Sequence, residues 1–387
     1  MSIHRGVILL PCLLTGGTEV ATLETALAFK SLGYLAEVVV YFDEVDATML
    51  NSFKTAGLTV HLLGVQREGC RRAHWQLGVR LLRTLQRGRY DAIWLQYMTP
   101  TLLPLVVARL FTRNLIATVH VAASHYSPAG LDRLRWLARH WCARFVCVSR
   151  TVAHGVFGAE DGVARVSGRV VVIPNALDLT LMQAAAVRDW RSETGWPREV
   201  VVLGFVGRLA YIKGADVLLH AVARLHSQGL PVRLVVVGEG AEQASLKALT
   251  QQLGIGATTL FAGRVPRADI YSAIKGFDIA VMPSRGGLEG FGLSALEAMA
   301  AAVPVVASRV DALQEVVLEG VTGLLCQADD PVTLADALAR LVGDAALRQS
   351  LAAAGAAHVA CLYDTPAYRN HVASLLVGLG LPVRSAV

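Results

Sequence analysis

The chain has 387 residues, enough for two domains that each bury a core of their own. Hydrophobic residues make up 54% and charged residues 17%, with 35 Gly and few aromatics; this is a globular α/β composition and excludes disordered, fibrous and short-repeat chains. The net charge of +6 is uneven: through Leu179 there are 19 Lys+Arg against 12 Asp+Glu, while the rest is near neutral, so the basic first half can face anionic lipid, nucleic acid or an acidic substrate.

The opening MSIHRGVILLPCLLTGGTE has the basic start and apolar run of a signal peptide. Pro11 splits that run and no small-residue cleavage site follows closely, so it reads as a buried first strand, Gly6–Leu10, entering a glycine loop. An amphipathic helix follows Gly16-Gly17 and closes at Gly33, and AEVVVYF is the next strand. Further strands are expected at Thr59–Leu62, Ala92–Leu95, Leu115–Val119, Phe145–Val148 and Val170–Ile173. Continuous apolar strands between helices predict a parallel sheet covered on both faces. The segment DLTLMQAAAVRDWRSETGWPRE is polar and reads as a linker. A second series then begins near Val200: VVLGFVG, VRLVVVGEG, TTLFAG, DIAVMP and VPVVAS as strands, with KGADVLLHAVARLH as a helix. The pattern predicts α/β architecture in two doubly wound, Rossmann-like domains facing a cleft. They are residues 1–180 and 181–364, followed by a C-terminal helix at 365–387 that can pack back on the first domain. No run is long enough to span a membrane. Cys12, Cys70, Cys142, Cys147, Cys326 and Cys361 lack zinc-site spacing; most read as small core residues, and a reducing compartment fits.

Ligands of open parallel sheets sit at the carboxyl ends of strands, where helix N-termini favour anions. Three glycine turns fit such a place: Gly16-Gly17, Gly238-Glu239-Gly240 and Gly290-Phe291-Gly292. None is a GxxxxGK[ST] loop, and no GxGxxG follows the first strand. In GRLAYIKG, Arg208 and Lys213 flank a short loop directly after a strand and can hold a diphosphate; the alternative is two solvated surface charges. His120 ends the strand NLIATVH and points to a cleft or is a satisfied core histidine, and His125 is a weaker version of the same. In LEGFGLSALEAMAAAVPVV, Glu289 precedes a helix N-terminus and Glu297 lies past its first turn. Carboxylates there can grip a transferred sugar and a ribose. The alternative is a solvated loop charge and a helix-surface residue, but an unpaired Glu inside an Ala/Met-rich helix is costly.

The blocks PSRGGLEGFGLSALEAMAAAVPVVAS, GRLAYIKG and IPNALD, with TVH, VCVSR, VVVGEG and EVVLEGVTGLL, resemble the retaining GT-B glycosyltransferases of family GT4 over nearly the whole chain. The resemblance implies transfer of a sugar from a nucleoside-diphosphate sugar to a hydroxyl of a glycan or lipid-linked acceptor, with retention. It points to cell-surface polysaccharide or lipopolysaccharide synthesis. It places Gly16 and Gly17 near the donor phosphates and acceptor, and His120 on the transferred sugar. Arg208 and Lys213 would bind the diphosphate, Glu289 the sugar and Glu297 the ribose, with backbone amides of Phe291, Gly292 and Leu293 in support. Gly238 is a further donor-loop residue. No cofactor or metal is expected. The family often has Gly where this chain has Ala302. Two readings compete: a non-catalytic nucleotide-sugar-binding scaffold subunit, and an epimerase of the same fold, which would need further cleft acids.

The basic segments Arg67–Arg89 and Leu131–Phe145 carry tryptophans. In the first, Trp75, Val79, Leu82 and Leu85 can share one helical face, away from Arg72, Arg80, Arg83 and Arg87. Either they dock peripherally on the inner face of a cytoplasmic membrane next to a lipid-linked acceptor, or they are ordinary domain helices with solvated basic faces. No nucleic-acid module is visible. A cytoplasmic protein is expected.

Overall fold

The computed structural model describes residues 4–14, 16–67, 71–96, 102–158, 168–287 and 289–384; Cys70 and Leu288 lie outside them. The chain divides into two units. The first runs to Ala176 and resumes at Thr365; the second is Leu177–Asp364.

The first unit holds seven strands: β1 (His4–Leu10), β2 (Tyr34–Phe42), β3 (Thr59–Val65), β4 (Ala92–Leu95), β5 (Leu115–Val119), β6 (Arg144–Cys147) and β7 (Val170–Val172). They form one parallel sheet in the order β3-β2-β1-β4-β5-β6-β7, with Ile8 opposite both Val38 and Trp94. Val7 to Leu10 are buried, as strands covered on both faces require. The Thr365–Val377 helix belongs to this unit. Its Tyr368, Val372, Leu375 and Leu376 share a core with Phe29 and Tyr34. The tail beyond it is tied down where the Tyr34 hydroxyl donates to the Pro382 carbonyl at 2.8 Å and the Arg384 N–H to the Leu32 carbonyl at 3.0 Å.

The Arg71–Gln86 helix is rotated from its expected phase. It buries Ala73, Leu77, Leu81 and Leu85, spaced at one turn each, and leaves Trp75 68% exposed. The four smaller residues fit against the sheet layer at helical spacing, whereas Trp75 sits on the arginine-bearing side.

The second unit's strands are β8 (Val201–Val206), β9 (Val232–Val237), β10 (Thr259–Gly263), β11 (Ile279–Met282), β12 (Val305–Ser308) and β13 (Gly323–Cys326). They are parallel in the order β10-β9-β8-β11-β12-β13. The segment expected to be a linker is a structural part of this unit. It forms helices Leu179–Ala184 and Trp190–Thr194, capped by Asp178 and Asp189. Trp190 is fully buried, stacks on Phe277 with ring centroids 6.1 Å apart, and donates its indole N–H to the Ala273 carbonyl at 2.9 Å. One large aromatic anchors an otherwise polar stretch.

Candidate functional site

In each sheet the strand order reverses beside the first strand of its series, between β1 and β4 and between β8 and β11. Loops leaving the carboxyl ends diverge there, which makes those ends the natural ligand sites. Every residue singled out for chemistry in the second unit lies on a loop or helix following β8, β9 or β11, and all but Gly238 follow the two strands that flank that reversal.

After β8 the chain passes Arg208, makes a short 3-10 turn at Tyr211–Lys213 and starts the Ala215–Ser227 helix at Gly214. Gly214 has φ +65°, and a Cβ there would lie 2.0 Å from the Pro283 carbonyl oxygen. The β8 and β11 loops therefore touch backbone to backbone, and only glycine permits it. This contact carries Lys213 to the β11 loop. Its ammonium donates to Glu289 Oε2 at 2.6 Å, and the Ser284 hydroxyl donates to the same oxygen at 3.1 Å. Lys213 is thus an ion-paired cation and not a solvated one. Arg208 is exposed, and its side chain meets no acid among the described residues.

Arg285, which the sequence reading passed over, locks these loops. Its guanidinium donates to Asp216 at 2.8 and 2.5 Å, to Asp329 at 2.8 Å and to the Tyr211 carbonyl at 2.6 Å. It also stacks 4.0 Å from the centroid of the Tyr211 ring. Burial pushes the Asp216 carboxyl up, but the hydrogen bonds and charge of Arg285 outweigh that and hold it below the usual range; Arg285 itself is raised, chiefly by the same hydrogen bonds. Asp311, also passed over, sets the next turn by accepting from the backbone N–H of Gly287 at 2.6 Å and of Glu289 at 3.3 Å. Asp311 itself has φ +40°, an uncommon conformation for a residue other than glycine. The signal for both was position: each follows the carboxyl end of a strand by a few residues, as Arg208 does.

The Leu293–Ala300 helix starts from Gly292 at φ +88°, with no side-chain cap, so its first backbone N–H groups remain available to an anion. Phe291 is buried and meets Tyr363 edge-on at 5.8 Å. Glu297 is buried and pairs with Arg267, which also donates to the Tyr271 hydroxyl at 2.8 Å. Glu297 is therefore not left unpaired: a cation from the loop after β10 offsets its burial. Glu289 and Glu297 answer to different cations, Lys213 and Arg267. Gly238 has φ +137°, and a Cβ there would lie 1.9 Å from the Gly207 carbonyl oxygen, so packing between the β8 and β9 loops alone accounts for this glycine.

In the first unit, Gly16 is the N-cap of the Gly17–Ser31 helix. The first turn already holds an acid: Glu19 is buried and accepts from the Leu14 N–H at 3.3 Å. That carboxylate competes with any anion at the helix end. His120 directly follows β5 and is half-buried, with Nε2 2.7 Å from Gln96 Oε1. Burial pushes its imidazole down to about 3, so the ring is neutral at neutral pH. His125 lies in a short turn, edge-on to Tyr126 at 5.5 Å. Among the described residues, no group of three or more His, Cys, Asp or Glu is placed to hold a metal, and no helix is long and apolar enough to cross a membrane.

Two family models match the chain. "Glycosyl transferases group 1" matches residues 187–358 and "Glycosyltransferase Family 4" matches residues 15–181. The chain is 36% identical over 215 residues to the D-inositol 3-phosphate glycosyltransferase of Corynebacterium urealyticum, covering 53% of this chain and 50% of that protein. It is 32% identical over 289 residues to the enzyme of the same name from Streptosporangium roseum, covering 70% and 66%. The chain thus spans about half the length of the first of these relatives and about two thirds of the second. In fold it is similar to Anabaena HepE in complex with UDP and glucose, with a TM-score of 0.78, 21% identity, and coverage of 97% of this chain and 100% of that one.

Proposed function

The chain belongs to the group 1, family 4 glycosyltransferases of GT-B fold, and from that premise we propose that it moves a sugar from a nucleoside-diphosphate sugar to an acceptor hydroxyl, with retention at the anomeric carbon. The observation that carries the reading is the loop cluster of the second unit: Lys213 on Glu289, Arg208 exposed in the same β8 loop as Lys213, and an uncapped helix N-terminus at Gly292, all following β8 or β11.

In this reading the leaving diphosphate gains charge as the glycosidic bond breaks. Arg208, Lys213 and the amides of Phe291, Gly292 and Leu293 stabilise it electrostatically. Lys213 waits on Glu289 until the phosphates arrive. Glu289 then turns to a hydroxyl of the sugar, and Glu297, steadied by Arg267, to the ribose. His120 contacts the transferred sugar, and Gly16 and Gly17 lie near the donor phosphates and the acceptor. None of these roles requires a metal or cofactor.

For the acceptor, the names of the curated relatives support a phosphorylated polyol. The expected cell-surface polysaccharide or lipopolysaccharide acceptor rests on the family resemblance alone. Peripheral contact with anionic membrane is supported by Trp75 and Trp136, both largely exposed on arginine-bearing helices. Binding to anionic vesicles at low salt, weakened in Trp75→Ala, tests it; no binding removes it.

The donor site is tested by thermal shift against UDP, GDP, ADP and TDP, with Glu297→Gln as control. Ligand at about a hundred times its dissociation constant adds roughly 2.7 kcal/mol of stability. A shift with one base, reduced in the variant, supports the site; no shift with any of the four favours the non-catalytic scaffold.

A further inference from the structure

Three buried polar side chains of the first unit form a line that ends on the half-buried His120. His120 Nε2 lies 2.7 Å from Gln96 Oε1, and Gln96 Nε2 lies 2.9 Å from Thr25 Oγ1. Thr25 Oγ1 lies 2.7 Å from the Tyr368 hydroxyl and 2.7 Å from the Ala21 carbonyl oxygen. Gln96 directly follows β4, His120 directly follows the neighbouring β5, Thr25 sits in the Gly17–Ser31 helix and Tyr368 in the Thr365–Val377 helix. Thr25, Gln96 and Tyr368 are almost fully buried, so each of these short contacts must hold a proton.

Counting protons gives a single solution. The Ala21 carbonyl can only accept, so the one hydroxyl proton of Thr25 goes to it. The contact between Thr25 and Gln96 must then take its proton from the Gln96 amide nitrogen, and the contact with Tyr368 from the tyrosine hydroxyl. Both lone pairs of Thr25 are filled. With its amide nitrogen turned to Thr25, Gln96 presents its carbonyl oxygen to His120, and the contact there needs a proton on Nε2. The reverse orientation of the amide would leave two oxygens 2.7 Å apart with no proton between them, at Thr25 and Ala21.

We propose that Gln96, oriented by Thr25, is a positioning residue that holds His120 as the neutral tautomer protonated on Nε2, leaving Nδ1 as an acceptor for a hydroxyl of the transferred sugar. The sugar contact rests on the proposed function; the tautomer does not. A neutral imidazole has one donor and one acceptor, and spending the donor on Gln96 fixes what the ring can offer a ligand. The low basicity of the buried ring agrees, because a ring protonated on both nitrogens would have no acceptor left. Tyr368 fills the second lone pair of Thr25 without setting the direction of the amide.

The test is a long-range proton–nitrogen correlation spectrum of the full chain with 15N-labelled histidine, in which the His120 signals are those missing from His120→Gln. The expected wild-type pattern near neutral pH is a protonated Nε2 and a bare Nδ1. Gln96→Leu and the isosteric Thr25→Val are expected to give mixed tautomers and to lower kcat by at least about tenfold, as loss of an orienting partner does elsewhere. Tyr368→Phe is expected to retain the pattern. A proton on Nδ1 in the wild type, or a pattern unchanged in both Gln96→Leu and Thr25→Val, overturns the proposal. The predicted tautomer with undiminished transfer by His120→Gln overturns only the sugar contact.

Discussion

Replacing Glu297 by alanine should unsettle the second unit before any ligand is added. Its carboxylate is buried, with a side chain 6% exposed, and it faces Arg267, whose side chain is 25% exposed. Removing one partner of a buried pair costs about 3–5 kcal/mol, because the remaining charge is left without compensation. Arg267 keeps its bond to the Tyr271 hydroxyl and reaches some water, so the cost falls just below that range, at about 2–3 kcal/mol. For a unit of this size that lowers the melting temperature by about 5–10 °C. Glu297→Gln keeps the shape and one hydrogen bond and should cost about 1 kcal/mol. The assay is thermal and urea unfolding of Glu297→Ala, Arg267→Ala and the double variant. The double variant should be more stable than the sum of the singles predicts by about 1–3 kcal/mol. An alanine variant within about 0.5 kcal/mol of wild type, or an additive cycle, would refute the reasoning. The glutamine variant is therefore the one to use in nucleotide binding, where alanine would confuse lost contact with lost structure.

Gly214→Ala drives a Cβ into the Pro283 carbonyl at a positive φ, and it should cost about 3 kcal/mol or more and abolish the nucleotide-induced thermal shift; a wild-type melt would contradict the close approach. Ala302 has φ +55°, where glycine is favoured, so Ala302→Gly should stabilise by about 0.5–1 kcal/mol in the same assay, and a loss of stability would count against that strain. The Asp216 carboxyl is held low in the folded state by Arg285. Its contribution is then full above roughly pH 4 and lost as pH falls through the folded value. The stability deficit of Arg285→Met should accordingly shrink in acid; a deficit independent of pH would remove Asp216 as the cause.

The strands were legible because apolar runs such as Gly6–Leu10 and Leu115–Val119 are buried on both faces of their sheet and need no tertiary information to recognise. Helix phase was less so. Trp75 looked like part of an apolar face with Val79, Leu82 and Leu85, but packing selected Ala73, Leu77, Leu81 and Leu85. The apparent linker hid Trp190, since composition over a window cannot weigh one buried aromatic against many polar neighbours. In the site, strand ends pointed to Arg208, Lys213, His120, Glu289 and Glu297. Their partners were out of reach, because Arg267–Glu297, Arg285–Asp216 and His120–Gln96 are long-range contacts that only the folded chain brings together. Gly238 shows the converse: a glycine that reads as a phosphate loop has a sufficient reason in backbone packing.

The most direct measurement of the central claim is release of nucleoside diphosphate from UDP-glucose in the presence of a phosphorylated inositol acceptor, wild type against Lys213→Ala, with donor affinity measured in parallel. The reading predicts turnover by the wild type, and a loss of about a hundredfold or more in the variant, since a cation stabilising the leaving charge is removed. Normal turnover and normal donor affinity in Lys213→Ala would contradict it and leave the Lys213–Glu289 pair as a structural contact only.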